Sequence, residues 1–391
     1  MLRSMYSGIS GMKNFQTKLD VIGNNIANVN TAGFKKGRVT FKDTMNQTIS
    51  GASAAQANRG GKNPMQVGLG STMATIDTIH TQSSLQTTGR SLDLAVNGDG
   101  YFVVKQGDAE FYTRAGNMYL DDKGNLVNAD GYKVQAFKMN PATGAVTNEY
   151  GDVTVNVNAV MSPTPTDSAK IAGELSATAT DGTDYVQQID VVDNNGVSHK
   201  VELNFEKNGA GWDVTGNGNQ LGRITFNGGS AASDTNPWVI NDNGATINVR
   251  VNLQNLVQSG NQSTAIVSPN GNLEGSLESF NIGQMGEING VYSNGLVTTL
   301  GQVALAKFSN PSGLTKAGGN LFQQSINSGT PNVSTPGDGL GTLAAGSLEM
   351  SNVDLSEEFT EMITAQRGFQ ANTRIITTSD EILQELVNLK R

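Results

Sequence analysis

The chain has 391 residues, 26 Lys+Arg against 35 Asp+Glu for a formal net charge of −9, and no cysteine. That length exceeds the roughly 250–300 residues at which one core stops growing, so two or three domains are expected. The acidic balance argues against nucleic acid as a partner, and the lack of cysteine removes disulfides, thiolate metal sites and cysteine nucleophiles.

The first residues contain no unbroken apolar run of the roughly 7–15 residues that a signal peptide needs, so cleavage of a leader is not expected. No stretch approaches the ~18 apolar residues of a membrane span, and no membrane insertion is expected. Leu2, Met5, Ile9, Met12, Leu19, Ile22, Ile26 and Val29 recur at helical steps, predicting a helix that stops near residues 28–33, where Asn and Gly supply the exit. Gly8, Gly11 and Gly23 inside it, like Gly368 near the other end, read as places where helices approach closely, with tolerated weak spots as the alternative. Residues 33–70 read as an extended connecting segment.

From about Gly70 the apolar period changes to two. Residues 92–96 and 101–104 read as strands around the turn 97–100, with further turn signals at 121–124, 128–131 and 140–144. The proline-rich stretch 161–167 looks like a domain boundary. Beyond it, 187–192 and 199–205 form another hairpin around 194–196, and strand-and-turn spacing continues to about Leu277. Residues 303–308 make a second β region leading back to the C-terminal helix.

That helix is announced by Asp354-Leu-Ser-Glu357, which has the form of a capping box. Leu355, Met362, Phe369, Ile376 and Leu383 then form a seven-residue apolar repeat, with Ile375, Ile382 and Leu389 as a second row and Phe359 and Leu386 adding to the apolar face. Glu357 and Glu358 in the first turn and Lys390 and Arg391 in the last suit the helix dipole. All nine prolines lie between Pro64 and Pro336, outside both helical ends. Two such helices cannot be stable alone in water; they need each other or further copies of the chain. The expected fold is therefore α+β and mostly β. The terminal helices (1–32 and 351–391) pair as a coiled-coil-like inner domain, around a nested β-rich middle domain (71–144 and 276–350) and an outer β domain (145–275).

Constellations for catalysis fail on inspection. Asp121, Asp122 and Asp130 lack the alternating oxygen pattern of a calcium loop, and residues 337–341 match neither phosphate-loop pattern. His80 and His199 lie far apart in strand-like contexts, so neither a metal nor a cofactor is expected, and the chain is read as no enzyme.

Leu19-Asp-Val-Ile-Gly-Asn-Asn-Ile-Ala-Asn-Val-Asn-Thr-Ala-Gly-Phe-Lys35 closely resembles the N-terminal signature of the bacterial flagellar rod and hook family. Residues 351–355, 362–367 and 389–391 resemble its C-terminal signature, and 94–104 and 113–117 its core β domain. The segments 292–295, 308–314 and 325–329 are similar to its hook members in particular, whereas roughly 145–275 is generic. On this resemblance the signature falls on Asn24, Asn25, Asn28, Asn30, Gly33, Phe34, Asn352, Gln366 and Arg367. It implies terminal helices lining an inner tube, a barrel-like outer domain, and unfolded export through the flagellar type III apparatus to an extracellular hook. Phe41 and Met45 are similar to the short element by which early flagellar substrates engage the export gate. Implied partners are further copies of the chain in a helical homopolymer, rod, hook-cap and hook–filament junction proteins, and the export gate. The cysteine-derived cross-link of some hooks is not available to this chain. A distal rod protein is the alternative within the family, disfavoured by the long insertion, and a secreted β-rich adhesin is a more distant one.

Overall fold

The computed structural model describes residues 2–55, 59–140, 145–156, 158, 160–232, 237–242, 245–260 and 262–389; the side chains of Leu2, Asn148 and Leu386 also lie outside the description. Met1, residues 141–144 of the turn expected at 140–144, and the closing charges Lys390 and Arg391 therefore fall outside it. The chain divides into two compact units: Met1–Val155 with Asn281–Asn289 and Thr299–Arg391, and Asn156–Phe280 with Gly290–Thr298.

The first unit holds both helices, α1 (Leu2–Ala27) and α2 (Leu355–Asn388). They run antiparallel: Lys18 pairs with Glu361 at 3.2 Å, and Asn25 donates to Glu358 at 3.1 Å. Three of the four helical glycines lie where the helices meet. A β-carbon on Gly8 would lie 3.5 Å from the Asn372 carbonyl oxygen, on Gly11 2.9 Å from Asn372 Nδ2, and on Gly368 2.6 Å from the Phe15 ring. Gly23 differs: nothing lies within 4 Å of it, so close packing is not its reason.

The described part of 33–70 holds three strands. Gly37–Asp43 pairs antiparallel with Ser71–Thr78, its register breaking between Thr40 and Phe41, and Asn46–Ser50 pairs with Met65–Gly68. The core of this unit's sheet is the hairpin Tyr101–Gln106 and Ala109–Thr113, flanked by Lys133–Met139 and Leu305–Lys307. Residues Phe102, Val103 and Val104 are fully buried, and Tyr112 meets Phe308 edge-to-face at 4.7 Å.

The second unit is a barrel-like sheet. Asp184–Val192, Ser198–Asn208, Gly211–Gly216 and Asn219–Asn227 follow one another as antiparallel neighbours. Ser230–Ala231 and Ala245–Gln258 continue the sheet, Ser168–Leu175 joins parallel to the latter, and Ile266–Pro269 ends it. The first and last strands are linked through side chains: Tyr185 donates to the Ala265 carbonyl at 2.9 Å, and the Val267 N–H donates to Gln187 at 3.0 Å. Alternation places Val201, Leu203 and Phe205 inward against Trp212 and Trp238, all at or near zero exposure.

Candidate self-assembly surface

Helix α2 starts where Asp354 accepts hydrogen bonds from the N–H groups of Ser356 and Glu357, at 2.8 and 3.3 Å. The reciprocal half of the expected capping box is replaced, because Glu357 reaches across to Lys36 at 2.8 Å. This ties the start of α2 to the segment leaving α1.

The apolar residues read as a self-assembly seam fall into two groups. Ile22, only 2% exposed, is buried within the unit. Met5, Met12, Leu19, Ile26, Met362, Phe369, Ile376 and Leu383 are half-buried, as expected for one helix covering the other. Ile9, Leu355 and Phe359 remain exposed, Phe359 by 48%. Ile363, Ile375, Ile382, Val387 and Leu389 are exposed as well, so α1 leaves apolar residues uncovered on both flanks of the half-buried stripe, Phe359 and Ile363 on one side near the start of α2 and Ile375 and Ile382 on the other toward its end. Gln366 and Arg367 are exposed and have no partner among the described residues.

The signature around the end of α1 works as a clasp. Asn25, 2% exposed, donates to the Gly37 carbonyl and accepts from the Gly37 N–H, both at 2.9 Å. Asn28 caps the helix end by donating to the Asn24 carbonyl at 2.9 Å, while the side chains of Asn24 and Asn30 face solvent. Gly33 has φ +72°, and a β-carbon there would lie 2.5 Å from the Ala115 nitrogen, so any other residue would be both strained and in collision. Phe34 is buried beneath the ammonium of Lys316, 5.3 Å from its ring centre. Asn352 accepts from the Lys36 N–H at 2.7 Å and donates to the Ile79 carbonyl at 2.8 Å.

At the centre of this clasp sits an ion cluster that pattern reading missed. Glu349 has no exposed side-chain surface; it accepts from Lys35 Nζ at 2.7 Å, from the Ser83 N–H at 3.0 Å and from Arg114 at 3.3 Å. Its own carbonyl accepts from the Gly33 N–H at 2.8 Å. Burial pulls the Lys35 ammonium below its ordinary range, an effect that Glu349 opposes. Beside it, His80 bonds through Nδ1 to the Tyr101 hydroxyl at 2.8 Å and packs on Phe322. Burial, with help from the charges on Lys35, Lys316 and Arg114, depresses its pKa to about 4. The signal for the cluster was faint: Lys35 closes the quoted signature, but Glu349 stands in a three-residue strand with no repeat around it. The export-gate candidates Phe41 and Met45 are both exposed on or beside the edge strand Gly37–Asp43.

Three family descriptions match: "Flagella basal body rod protein" over residues 5–35, "Flagellar hook protein FlgE/F/G D1 domain" over 95–171, and "Flagellar basal body rod FlgEFG protein C-terminal" over 344–389. The chain is 42% identical over 393 residues to the flagellar basal-body rod protein FlgG of Bacillus subtilis, with all of both chains covered. It is 39% identical over 442 residues to the flagellar hook protein FlgE of Borreliella burgdorferi, again with both covered completely. The solved structure of Helicobacter pylori flagellar hook protein FlgE2 shares the fold, with a TM-score of 0.55 at 13% identity, covering 68% of this chain and 100% of that one. Because the rod-named relative is matched end to end, the length of the second unit does not by itself separate hook from rod. The three matched stretches span the helix-and-clasp segments at both ends and the core hairpin between them, and with two relatives matched over their full lengths they place the chain in the flagellar hook and rod axial protein family.

Proposed function

We propose that this protein is the repeating subunit of the flagellar hook, a helical homopolymer that bends while transmitting torque from rod to filament. One observation carries the reading: α1 covers only the central stripe of α2, leaving Phe359 and Ile363 exposed on one flank and Ile375 and Ile382 on the other. Apolar residues left exposed on two flanks suit burial against two neighbouring copies. The contact must be head-to-tail, since a self-complementary one would stop at a dimer. On this reading the terminal helices form the inner tube. The role is structural and not catalytic. Rod, cap and junction proteins would meet the polymer at its ends, and the type III export gate would receive the chain first, with Phe41 and Met45 as its contact and the extracellular hook as its destination.

The distal rod is the second reading, favoured by the 42% identity to a protein of that name. Electron microscopy of the purified full chain decides: curved tubes support the hook, straight tubes the rod, and isolated particles neither. Phe359→Asp and Ile382→Asp place charge on the two uncovered flanks without entering the helix pair. Both variants should stay folded monomers by circular dichroism and form no tubes; tubes of normal yield would refute the assignment of those flanks.

A further inference from the structure

An asparagine followed by glycine is the dipeptide at which a folded chain is chemically least secure. Without a Cβ on the glycine, its backbone nitrogen can approach the asparagine side-chain carbonyl. The described residues contain such steps at Asn97, Asn195, Asn208, Asn217, Asn227, Asn270, Asn289 and Asn294, while Asn243 lies outside them.

All but one of those side-chain amides are held. Asn97 accepts from Gln82 at 3.0 Å, and the Gly98 N–H, the potential attacking group, donates to the same Gln82 side chain at 2.9 Å. Asn195 donates to Asp193 at 3.2 Å and Asn208 to Asp213 at 2.7 Å. Asn217 bridges the Glu202 N–H and Asp242, both at 3.1 Å. Asn270 bonds twice to Asp167 and once to Ser168, Asn289 accepts from Thr299, and Asn294 donates to the Leu273 carbonyl while accepting from the Leu296 N–H. Asn227 stands apart. It is exposed at the end of Asn219–Asn227, next to a turn in which Gly228 and Gly229 have φ +60° and +90°. Among the described residues neither its amide nor the Gly228 N–H has a hydrogen-bond partner.

We propose that Asn227 is a site of spontaneous deamidation, and that the hydrogen bonds at the other seven steps protect them from the same reaction. The Gly228 nitrogen attacks Cγ of Asn227, forming a new C–N bond. The bond to the side-chain nitrogen breaks, and that nitrogen leaves as ammonia with the proton from the Gly228 N–H. The five-membered imide then takes up one water at either carbonyl, opening to an aspartyl or an isoaspartyl linkage. No oxidation or reduction occurs, and water is the one co-reactant. Each event adds one negative charge at the tip of this hairpin.

The test incubates the full-length folded protein at mildly alkaline pH in oxygen-18 water, followed by digestion and mass spectrometry of every Asn–Gly peptide. Asn227 should convert first, roughly five- to tenfold faster than any hydrogen-bonded step, the factor that one ordinary hydrogen bond supplies. Equal rates, or a hydrogen-bonded step leading, would overturn the proposal. In Gln82→Ala, which frees both partners at Asn97, conversion at Asn97 should rise by a similar factor while Asn227 is unchanged. An unaltered Asn97 rate, with an unaltered circular dichroism spectrum, would refute the protective role.

Discussion

Replacing Glu349 by Gln would leave the Lys35 ammonium and the Arg114 guanidinium side by side in a space closed to water. Breaking a buried pair from one side typically costs about 3–5 kcal/mol. Glu349→Gln should therefore lower the stability of the first unit by that amount in urea titration, whereas Lys35→Met, which leaves Arg114 to neutralise the carboxylate, should cost less. A second residue-scale effect depends on pH. Unfolded His80 takes a proton near its ordinary value of 6.5, while the folded imidazole resists until about 4. Between those values the unfolded state binds more protons, so stability falls as pH drops. His80 is partly exposed, so the loss is about 2 kcal/mol rather than the full shift converted. His80→Phe should flatten that part of the stability curve measured by thermal melts from pH 7 to pH 4.

Among the elements, the helices separate what sequence can and cannot reveal. Their existence, and the direction of the apolar stripe on α2, follow from spacing alone, because helical periodicity survives whatever the helix packs against. Which glycines are contacts does not follow, since the pattern at Gly23 resembles that at Gly11 yet only one meets a neighbour. Two substitutions make the difference measurable. Gly23→Ala adds a methyl to open space and should stabilise by up to about 1 kcal/mol through helix propensity. Gly368→Ala drives a methyl into the Phe15 ring and should lower the melting temperature instead. The clasp was legible only as a signature. Spacing cannot show that Gly33 needs a left-handed backbone or that Glu349 closes on Lys35, because those reasons lie in segments far apart along the chain.

At the scale of the molecule, the change from helical to strand periodicity falls inside the first unit, which holds both helices and the β core, so periodicity does not mark where the second unit begins. The barrel-like second unit followed from the family resemblance and not from periodicity, which cannot show the side-chain bonds that link its first and last strands. The chain leaves the first unit after Val155 and returns at Asn281, with Gly290–Thr298 as a second excursion. Excising 156–280 and replacing 290–298 by a short turn should leave a folded first unit with both helices intact. If the helices and core carry polymerisation, tubes should still form but lose regular curvature under the electron microscope. A folded remainder that makes no tubes would assign the holding contacts to the second unit.

Lys35 and Glu349 are separated by 314 residues, and that distance sets an order of events. A chain that becomes available from its N-terminus onward presents α1, Asn25 and Gly33 long before the residues that fasten them exist nearby. Until Glu349 and Asn352 arrive, Lys35 stays hydrated and α1 has no α2 to pack on; contacts this remote in sequence are among the slowest to form. The clasp is thus a latch that sets last, when nearly the whole chain is present, and the exposed apolar residues of α2 come into being at the same moment as the support that holds them out.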